Sequence, residues 1–224
     1  MSLPIMSLEE LCQHGSKVTF EKGDILTSSV AEEASQDFYI LESGICALSS
    51  ISFDGRETTY LYYKPLHFVG FVPLMSQVQV HYYGKKTFSI IAKTPCTAYR
   101  IPAKQFQELL AFPSVINLVL GVLTENNAYL LEHFHSSKNE PALVQLCRFI
   151  LDQVDCDDEG NLVLDTFFTY NEIAHYMGVH SVTVARMMKA LKGEQMIDKI
   201  GHQVIILDRD KMVKLITEER KIDY

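Results

Sequence analysis

One short segment of the chain has side chains whose types and spacing are suited to binding DNA. Thr169-Tyr170-Asn171-Glu172 is a capping-box sequence, which predicts that a helix begins there. Gly178 predicts a tight turn after this helix, because a positive φ costs glycine little. The small Ala174 allows two helices to cross closely, and Val184 lies six residues after Gly178 on the core side of a second helix. This spacing is typical of a helix-turn-helix, with a helical hairpin that binds no DNA as the alternative.

The second helix, predicted to be capped by His180 or Ser181, carries the candidate DNA contacts. Ser181 and Val182 lie in its first turn and would face base edges, where Val182 can contact a thymine methyl group. Arg186 is suited to two hydrogen bonds with one guanine, a contact that discriminates between bases by ~1–3 kcal/mol. A solvated role is the alternative for each side chain. The predicted DNA-binding set, which includes phosphate contacts, is His180, Ser181, Val182, Thr183, Arg186 and Lys189.

Positive charge is local to this segment rather than spread over the chain. The net charge of the whole chain is −8, and residues 138–224 contain 11 basic and 15 acidic side chains. Between Ser181 and Lys199, four basic side chains face only two acidic ones. This distribution argues against non-specific binding of nucleic acid or anionic membrane by the whole surface, but it allows a small basic interface.

Catalytic motifs are missing from the sequence. It has no Gly-x-Ser-x-Gly, no phosphate-binding glycine loop and no His-Glu-x-x-His. A cupin-type metalloenzyme would need about three histidines and a carboxylate inside a β-barrel. The one closely spaced pair, His133 and His135, lies on a predicted helix, where residues two apart do not face each other. We therefore predict that the protein is not an enzyme.

The cysteine pattern does not predict a cluster or a disulfide framework. There is no Cys-x-x-Cys pair, and an odd number of cysteines without a signal sequence is typical of reduced thiols. We therefore expect no haem, iron–sulfur cluster or metal, and predict that the thiols are small buried side chains. Redox control through Cys96 or Cys147 stays open as an alternative. The five residues are Cys12, Cys46, Cys96, Cys147 and Cys156.

The first ~110 residues have the pattern of short β-strands separated by turns. Glycine-bearing turns at residues 22–24, 42–44 and 53–56 favour an antiparallel sandwich, barrel or jelly roll. A short helix, Ala103–Leu110, follows. The predicted strands are Val18–Phe20, Phe38–Leu41, Ile45–Ile51, Thr58–Tyr63, Phe88–Ala92 and Cys96–Ile101.

After Pro113 the apolar periodicity becomes helical. Its two stripes predict a long helix that packs on its own β-domain and on a second copy of the chain, with burial inside one domain as the alternative. Asn127 would fix the register of such a dimer at some cost in stability. The predicted dimer seam is Ile116, Leu120, Leu123, Asn127, Leu130 and Phe134, and the second stripe is Val115, Leu118, Val122 and Tyr129.

Residues 136–141 are predicted to form a hinge into a new helix that begins near Pro141 and ends near Val154. The runs Ile197–Ile200 and Gln203–Leu207 predict a β-hairpin behind the helix-turn-helix, as in a winged helix, and Met212–Arg220 predicts a terminal helix. The predicted fold is therefore α+β: an N-terminal antiparallel β-roll, a long dimerisation helix and a C-terminal winged helix-turn-helix. The predicted domains are 1–112, 113–137 and 138–224.

Composition is that of a globular protein, with 47% hydrophobic and 21% charged residues in a chain of 224. The N-terminus has no basic region and no signal-like apolar core. The most apolar stretch, Val115–Leu123, is too short to span a bilayer. We therefore expect a cytoplasmic protein with no membrane partner.

The order of β-roll, long helix, hinge and winged helix resembles the CRP/FNR family, the cyclic-AMP receptor protein family of bacterial transcription regulators. The resemblance implies a jelly roll like a cyclic-nucleotide-binding domain, a homodimer, a pseudo-palindromic DNA operator, and contacts to bases by Ser181, Val182 and Arg186. RNA polymerase is a further partner that the resemblance allows. The most family-like pieces are Lys22-Gly23-Asp24, Leu41-Glu42-Ser43-Gly44, Asp54-Gly55, Val69-Gly70-Phe71 and residues 178–186.

Departures from the family pattern concern the effector. To bind a cyclic nucleotide, the family uses a glutamate that contacts the ribose and an Arg-Ser pair that contacts the phosphate. In this chain Phe71 stands at the position of the glutamate, and Lys86-Thr87 stands at the position of the Arg-Ser pair. One cation at the phosphate position is therefore kept. The cysteine cluster of the oxygen-sensing branch is absent, and His67 and His81 are the only histidines placed for the haem-dependent branch. The chain looks most like the chlorophenol-sensing halorespiration subgroup, yet Phe71 and Glu125 stand where that subgroup has lysines.

The resemblance thus implies an aromatic-lined pocket with one cation, suited to an aromatic or carboxylate-bearing small molecule. The predicted ligand-binding residues are Tyr60, Tyr62, Gly70, Phe71, Tyr82, Lys86, Thr87, Leu123 and Asn127. We predict a homodimeric, effector-controlled transcription regulator that binds double-stranded DNA. The alternatives are a redox-responsive regulator of the same fold, a dimeric module whose helix-turn-helix contacts another protein, and the cupin-type enzyme.

Overall fold

A computed structural model describes residues 7–29, 37–52, 55, 57–70 and 87–217, with the backbone alone described at residue 87. The predicted ligand-binding residues Phe71, Tyr82 and Lys86 lie outside the described residues. The chain divides into two compact units, Met1–Leu131 and Glu132–Tyr224. Each unit is described by itself.

Within the described residues, the N-terminal unit contains two four-stranded antiparallel sheets, as the predicted β-roll requires. Its sheets have the strand orders β1-β8-β3-β6 and β2-β7-β4-β5. In chain order the elements are α1 Leu8–Cys12, β1 Ser16–Phe20, β2 Ile25–Ser28, β3 Phe38–Ser43, β4 Cys46–Ile51, β5 Glu57–Tyr63, β6 Phe68–Val69, β7 Thr87–Ala92, β8 Cys96–Ile101, α2 Ala103–Leu109 and the first part of α3 Pro113–Asn139.

Alternation along the strands explains why these residues form a two-sheet core. In β4, Cys46 belongs to the apolar cluster between the sheets and Leu48 packs against that cluster. Gly44, between β3 and β4, has φ +87°, and a Cβ atom there would overlap the carbonyl oxygen of Pro95. Only glycine fits this turn, because the turn demands both a left-handed backbone and a close approach of two chain segments.

The long helix α3 differs from its prediction at three places. Residues 136–139, predicted as hinge, continue the helix, and the chain leaves helical geometry only before Pro141, as the residue preceding a proline tends to do. Leu130, predicted in the dimer seam, packs against the core between the two sheets of its own unit. Leu131 is 62% exposed, and Tyr129 of the predicted second stripe is 43% exposed.

The C-terminal unit is a helical bundle with a small sheet of strand order β11-β12-β10-β9. The predicted hairpin is confirmed by antiparallel pairing of Ile197 with Ile206 and of Ile200 with Gln203. After the end of α3, the elements are α4 Ala142–Gln153, β9 Val154–Cys156, β10 Leu162–Leu164, α5 Tyr170–Met177, α6 Ser181–Gly193, β11 Ile197–Ile200, β12 Gln203–Ile206 and α7 Arg209–Ile216.

Helix α7 begins three residues earlier than predicted because Asp208 caps it. Its Oδ1 atom accepts a hydrogen bond from the amide of Lys211 at 2.9 Å. Helix α4 packs against α6 and α7, with Leu146 and Ile150 fully buried. In the described part of the chain, no single helix is long and apolar enough to cross a membrane; only α2 and α3 taken together, with a bend of 112° between them, meet that criterion.

Candidate nucleic-acid interface

Helix α5 begins as its capping sequence predicts. The Thr169 hydroxyl accepts a hydrogen bond from the Glu172 amide at 3.2 Å, and the Thr169 amide donates to the Phe167 carbonyl at 2.8 Å. Ile173 and Ala174 are buried. Met177 is only half-buried at the end of the helix. The small, buried Ala174 lets α5 and α6 pack together.

The turn between the two helices has the geometry that its glycine permits. Gly178 has φ +67° and ψ +30°, and its amide donates to the carbonyl groups of Ala174 and His175. This left-handed residue closes the end of α5. His180 then occupies the N-cap position of α6 with extended backbone angles, and its side chain makes no capping hydrogen bond. The predicted helix-turn-helix is confirmed in spacing and in local geometry.

Helix α6 separates an apolar face from an exposed one. Val184, Met187, Met188 and Leu191 are at most 2% exposed, so this face holds the helix on the unit. Val182 is 69% exposed and Arg186 and Lys189 are exposed as well. Residues 182, 186 and 189 follow spacings of four and three, so their side chains share one face of the helix.

All six predicted DNA-binding residues therefore lie on α6 or at its N-cap. His180 is exposed at the cap, while Ser181 and Thr183 in the first turn are half-buried. Because the three exposed residues Val182, Arg186 and Lys189 extend over two turns, the arrangement offers an apolar contact and two positive charges along one line. Such a line fits base edges and phosphates in a major groove.

The four basic side chains of this region are not equivalent. Lys192 forms an ion pair with Asp198, with 2.5 Å between Nζ and Oδ1, and this hydrogen bond lowers the pKa of Asp198 below its ordinary value. The Lys199 ammonium lies 5.5 Å from the ring centroid of Tyr170. Within the described part of the chain, Arg186 and Lys189 make no ion pair. The positive charge free for phosphates is thus concentrated on α6.

Two arrangements in this unit have no signal in the sequence. The contact between Lys199 and Tyr170 joins the wing hairpin to the start of α5. Arg148 pairs with two carboxylates at the junction of α3 and α4. Tertiary packing brings Lys199 and Tyr170 together. Arg148 reaches its two carboxylates because the chain changes direction between α3 and α4.

The predicted effector residues that the structure describes lie on β5, after β6, on β7 and on α3. The Tyr60 hydroxyl hydrogen-bonds to the Ser50 hydroxyl at 2.9 Å, and the Tyr60 ring lies 5.8 Å from that of Phe88. Tyr62 is buried, and Gly70 has φ +138°, with Phe38 so close that a Cβ would contact its backbone at 2.9 Å. Leu123 is 40% exposed and Asn127 is exposed. Thr87 is the first residue of β7. The pocket stays a prediction.

The two cysteines considered for redox control are both buried. Burial raises the pKa of the Cys147 thiol to about 12 and also raises that of Cys96. The Cys96 thiol donates to the carbonyl groups of Ile45 and Thr94 at 3.3 and 3.2 Å. Both environments disfavour the thiolate, which is the reactive form. Across the described ranges, no three His, Cys, Asp or Glu side chains are grouped as metal ligands would be.

The two-sheet β-roll, followed by a helix-turn-helix with a β-hairpin wing, places the chain among proteins that combine an N-terminal β-roll with a C-terminal winged-helix domain. Two family models match the chain within this architecture: a cyclic nucleotide-binding domain over residues 17–111 and a Crp-like helix-turn-helix domain over residues 144–215. The chain belongs to the CRP/FNR family, a family of transcription regulators and not of enzymes.

One curated protein and two solved structures are similar to this chain. A probable transcriptional regulator, flp, of Lacticaseibacillus casei is 32% identical over 130 residues, which is 56% of this chain and 56% of that relative's length. A CooA mutant from Carboxydothermus hydrogenoformans matches with TM-score 0.68 and 15% identity over 92% of this chain and 89% of the other. A cysteine-to-serine variant of CprK, complexed with OCPA, matches with TM-score 0.62 and 20% identity over 95% of this chain and 94% of the other. These two structural likenesses show the fold alone, so the likeness to the chlorophenol-sensing subgroup stays a prediction.

Proposed function

We propose that the protein is a homodimeric, sequence-specific DNA-binding transcription regulator whose DNA affinity is set by a small-molecule effector. The observation that carries this proposal is the division of α6 into a buried apolar face and an exposed face with Val182, Arg186 and Lys189. We also infer that it acts in the cytoplasm, where its double-stranded DNA operator and, as a further partner, RNA polymerase would be found.

The exposed apolar side chains of α3 support a homodimer. They form one stripe in which Leu131 replaces the predicted Leu130 and Asn127 lies at the centre. The stripe is Ile116, Leu120, Leu123, Asn127, Leu131 and Phe134, with exposed fractions of 41, 55, 40, 62 and 63% for the five apolar members. Exposed apolar stripes of this length mark protein interfaces, and a second copy of α3 presents the same stripe.

The spacing of this stripe also predicts the handedness with which two copies of α3 would wind around each other. Residues 116, 120 and 123 recur eleven positions later as 127, 131 and 134. An 11-residue repeat corresponds to roughly 3.67 residues per turn, which favours nearly straight or slightly right-handed pairing instead of the left-handed supercoil of a heptad seam. In a parallel pair Asn127 would meet its counterpart and fix the register.

A selection experiment tests the DNA-binding proposal. The purified full chain is mixed with random-sequence duplexes, and bound DNA is recovered and sequenced. We expect an enriched pseudo-palindrome whose half-site centres lie about 34–36 Å apart, one helical turn, because two α6 helices must enter successive major grooves. Resin without protein is the control. Enrichment of no sequence, both without ligand and with the ligand found by the thermal-shift screen, would favour a helix-turn-helix that contacts another protein. Enrichment of a single unrepeated half-site would contradict the dimer.

The effector we propose is an aromatic or carboxylate-bearing small molecule, with no haem, iron–sulfur cluster or metal required. The domain match over residues 17–111 supports a ligand-binding roll, and Phe71 in place of a ribose-binding carboxylate disfavours a cyclic nucleotide. Burial of Cys96 and Cys147 weighs against the redox alternative. Tyr60 and Tyr62 supply aromatic surface, and Lys86 the cation.

A thermal-shift screen against phenolic acids, halophenols, small carboxylates and cyclic nucleotides checks this proposal. A ligand at about 100 times its Kd should stabilise the protein by roughly 2.7 kcal/mol, which raises Tm by several degrees. We expect a hit among the aromatic acids, weakened by Lys86→Ala and unaffected by the matched change Lys104→Ala on α2. A response to cyclic AMP alone, or equal affinity of the Lys86→Ala variant, would contradict the proposed ligand class.

A further inference from the structure

The junction between α3 and α4 is held by an ion pair with two hydrogen bonds. Arg148 on α4 donates from Nε and Nη2 to the two carboxylate oxygens of Glu140, at 2.8 and 2.7 Å. Glu140 and Pro141 are the two non-helical residues between the two helices. Bidentate pairs of this kind fix direction as well as distance, because the planar guanidinium matches the carboxylate.

The same arginine also contacts the preceding turns of α3. Its third nitrogen, Nη1, pairs with Glu132 at 2.7 Å, and the Ser136 hydroxyl donates to Glu140 at 2.7 Å. The Glu140 side chain is 13% exposed and that of Arg148 29%, so solvent screens this pair less than a surface pair. The Arg148 guanidinium, followed by the Ser136 hydroxyl, lowers the pKa of Glu140 below its ordinary value.

A second, aromatic contact joins the end of α3 to the helix-turn-helix. The His133 ring lies 4.6 Å from the ring of Tyr176 on α5, and Tyr176 in turn lies 4.9 Å from Phe149 on α4. Two kinds of contact, one ionic and one aromatic, therefore attach the last two turns of α3 to the rest of the C-terminal unit. The division of the chain at Glu132 agrees with this attachment.

We propose that Arg148 is a positioning residue that fixes residues 132–139 of α3 to the helix-turn-helix, so that they move as one body. The predicted hinge at residues 136–141 is then a locked junction. Any movement by which an effector alters DNA affinity takes place on the N-terminal side of Glu132. This last step rests on the proposed function, whereas the locked junction itself does not.

Hydrogen exchange, measured without DNA or effector, tests whether the Arg148–Glu140 pair keeps the junction between α3 and α4 rigid. Arg148→Met and Glu140→Gln are compared with the unchanged protein, and Arg209→Met removes an exposed arginine as the matched control. We expect exchange about ten- to a hundredfold faster at the amides of Glu140, Val144 and Gln145, the range for losing hydrogen bonds to charged groups. The amides of Met187 and Leu191 should change much less. An equal increase at all sites, or none beyond the control, would overturn the proposal.

The double variant and a distance measurement complete the test. Once Arg148→Met is present, adding Glu140→Gln should change the exchange rates less than twofold, since the pair is already broken. Spin labels at positions 135 and 175, with Cys12 and Cys156 replaced by serine, should give one narrow distance that broadens in Arg148→Met. Equal widths would contradict a single rigid body. Because no DNA is present, failure here is distinguishable from failure of the DNA selection.

Discussion

Arg186→Ala is expected to lower the affinity for the selected operator by about 1–3 kcal/mol per half-site and to relax base preference at one position in each half-site. Arg186 is exposed in the middle of the outer face of α6 and makes no ion pair in the described part of the chain. Its guanidinium is therefore free to donate two hydrogen bonds to a guanine. Because both half-sites lose a contact, the measured loss in the dimer is up to twice this figure.

The measurement is a titration of wild-type and mutated operators by fluorescence anisotropy at several salt concentrations. Lys189→Ala is the informative comparison, because a lysine that contacts phosphate should weaken binding to every sequence alike and reduce the salt slope by about one. Arg209→Ala on α7 should leave the affinity and the salt slope unchanged. Loss of affinity without any change in base preference would assign Arg186 to phosphate, and no loss at all would remove it from the interface.

Leu120→Glu is expected to convert the dimer into a monomer and to lower operator affinity by more than a hundredfold. Leu120 is 55% exposed in the middle of the first half of the α3 stripe, where two introduced carboxylates would face each other across the symmetry axis. An unpaired charge buried at an interface costs several kcal/mol, and a monomer can occupy only one half-site.

Sedimentation velocity gives the oligomeric state, and the same titration gives the affinity. Ala128→Glu adds an identical charge at an exposed position away from the stripe, and it should remain dimeric. Circular dichroism should show both variants folded, because neither site belongs to the core of its unit. A Leu120→Glu variant that stays dimeric would show that another surface joins the two copies.

The helix-turn-helix could be predicted almost completely from the sequence because its determinants are local. A capping threonine, a small residue at the crossing and a glycine in the turn lie within ten residues, and each matches its observed geometry. The strands β2, β6, β9 and β10 were missed because each has only two to four residues and, unlike the equally short β11 and β12, none is joined to a pairing neighbour by a two-residue turn such as Gly201-His202. Runs this short have no measurable alternation, and tertiary pairing alone defines them.

The long helix shows why periodicity by itself is insufficient. Leu130 and Leu131 fit the apolar pattern equally well in the sequence, and the packing of Leu130 against the β-sheets decides which of them is left exposed. The Arg148–Glu140 pair could not be predicted either. Its partners are eight residues apart across the interruption between α3 and α4, and tertiary packing decides the angle between these two helices. The predicted DNA-contact residues could be grouped from the sequence because one continuous helix and its N-cap carry them all.

The two exposed basic side chains on the outer face of α6, Arg186 and Lys189, have a consequence for how a binding site is found. The chain as a whole carries a net charge of −8, so polyanionic DNA repels most of its surface and attracts this face. These forces act over about 8 Å at physiological ionic strength. With few phosphates neutralised, residence on unrelated sequence is short. We therefore expect target search to proceed by many brief collisions from solution instead of long sliding, with the exposed face of α6 attracted to the DNA first.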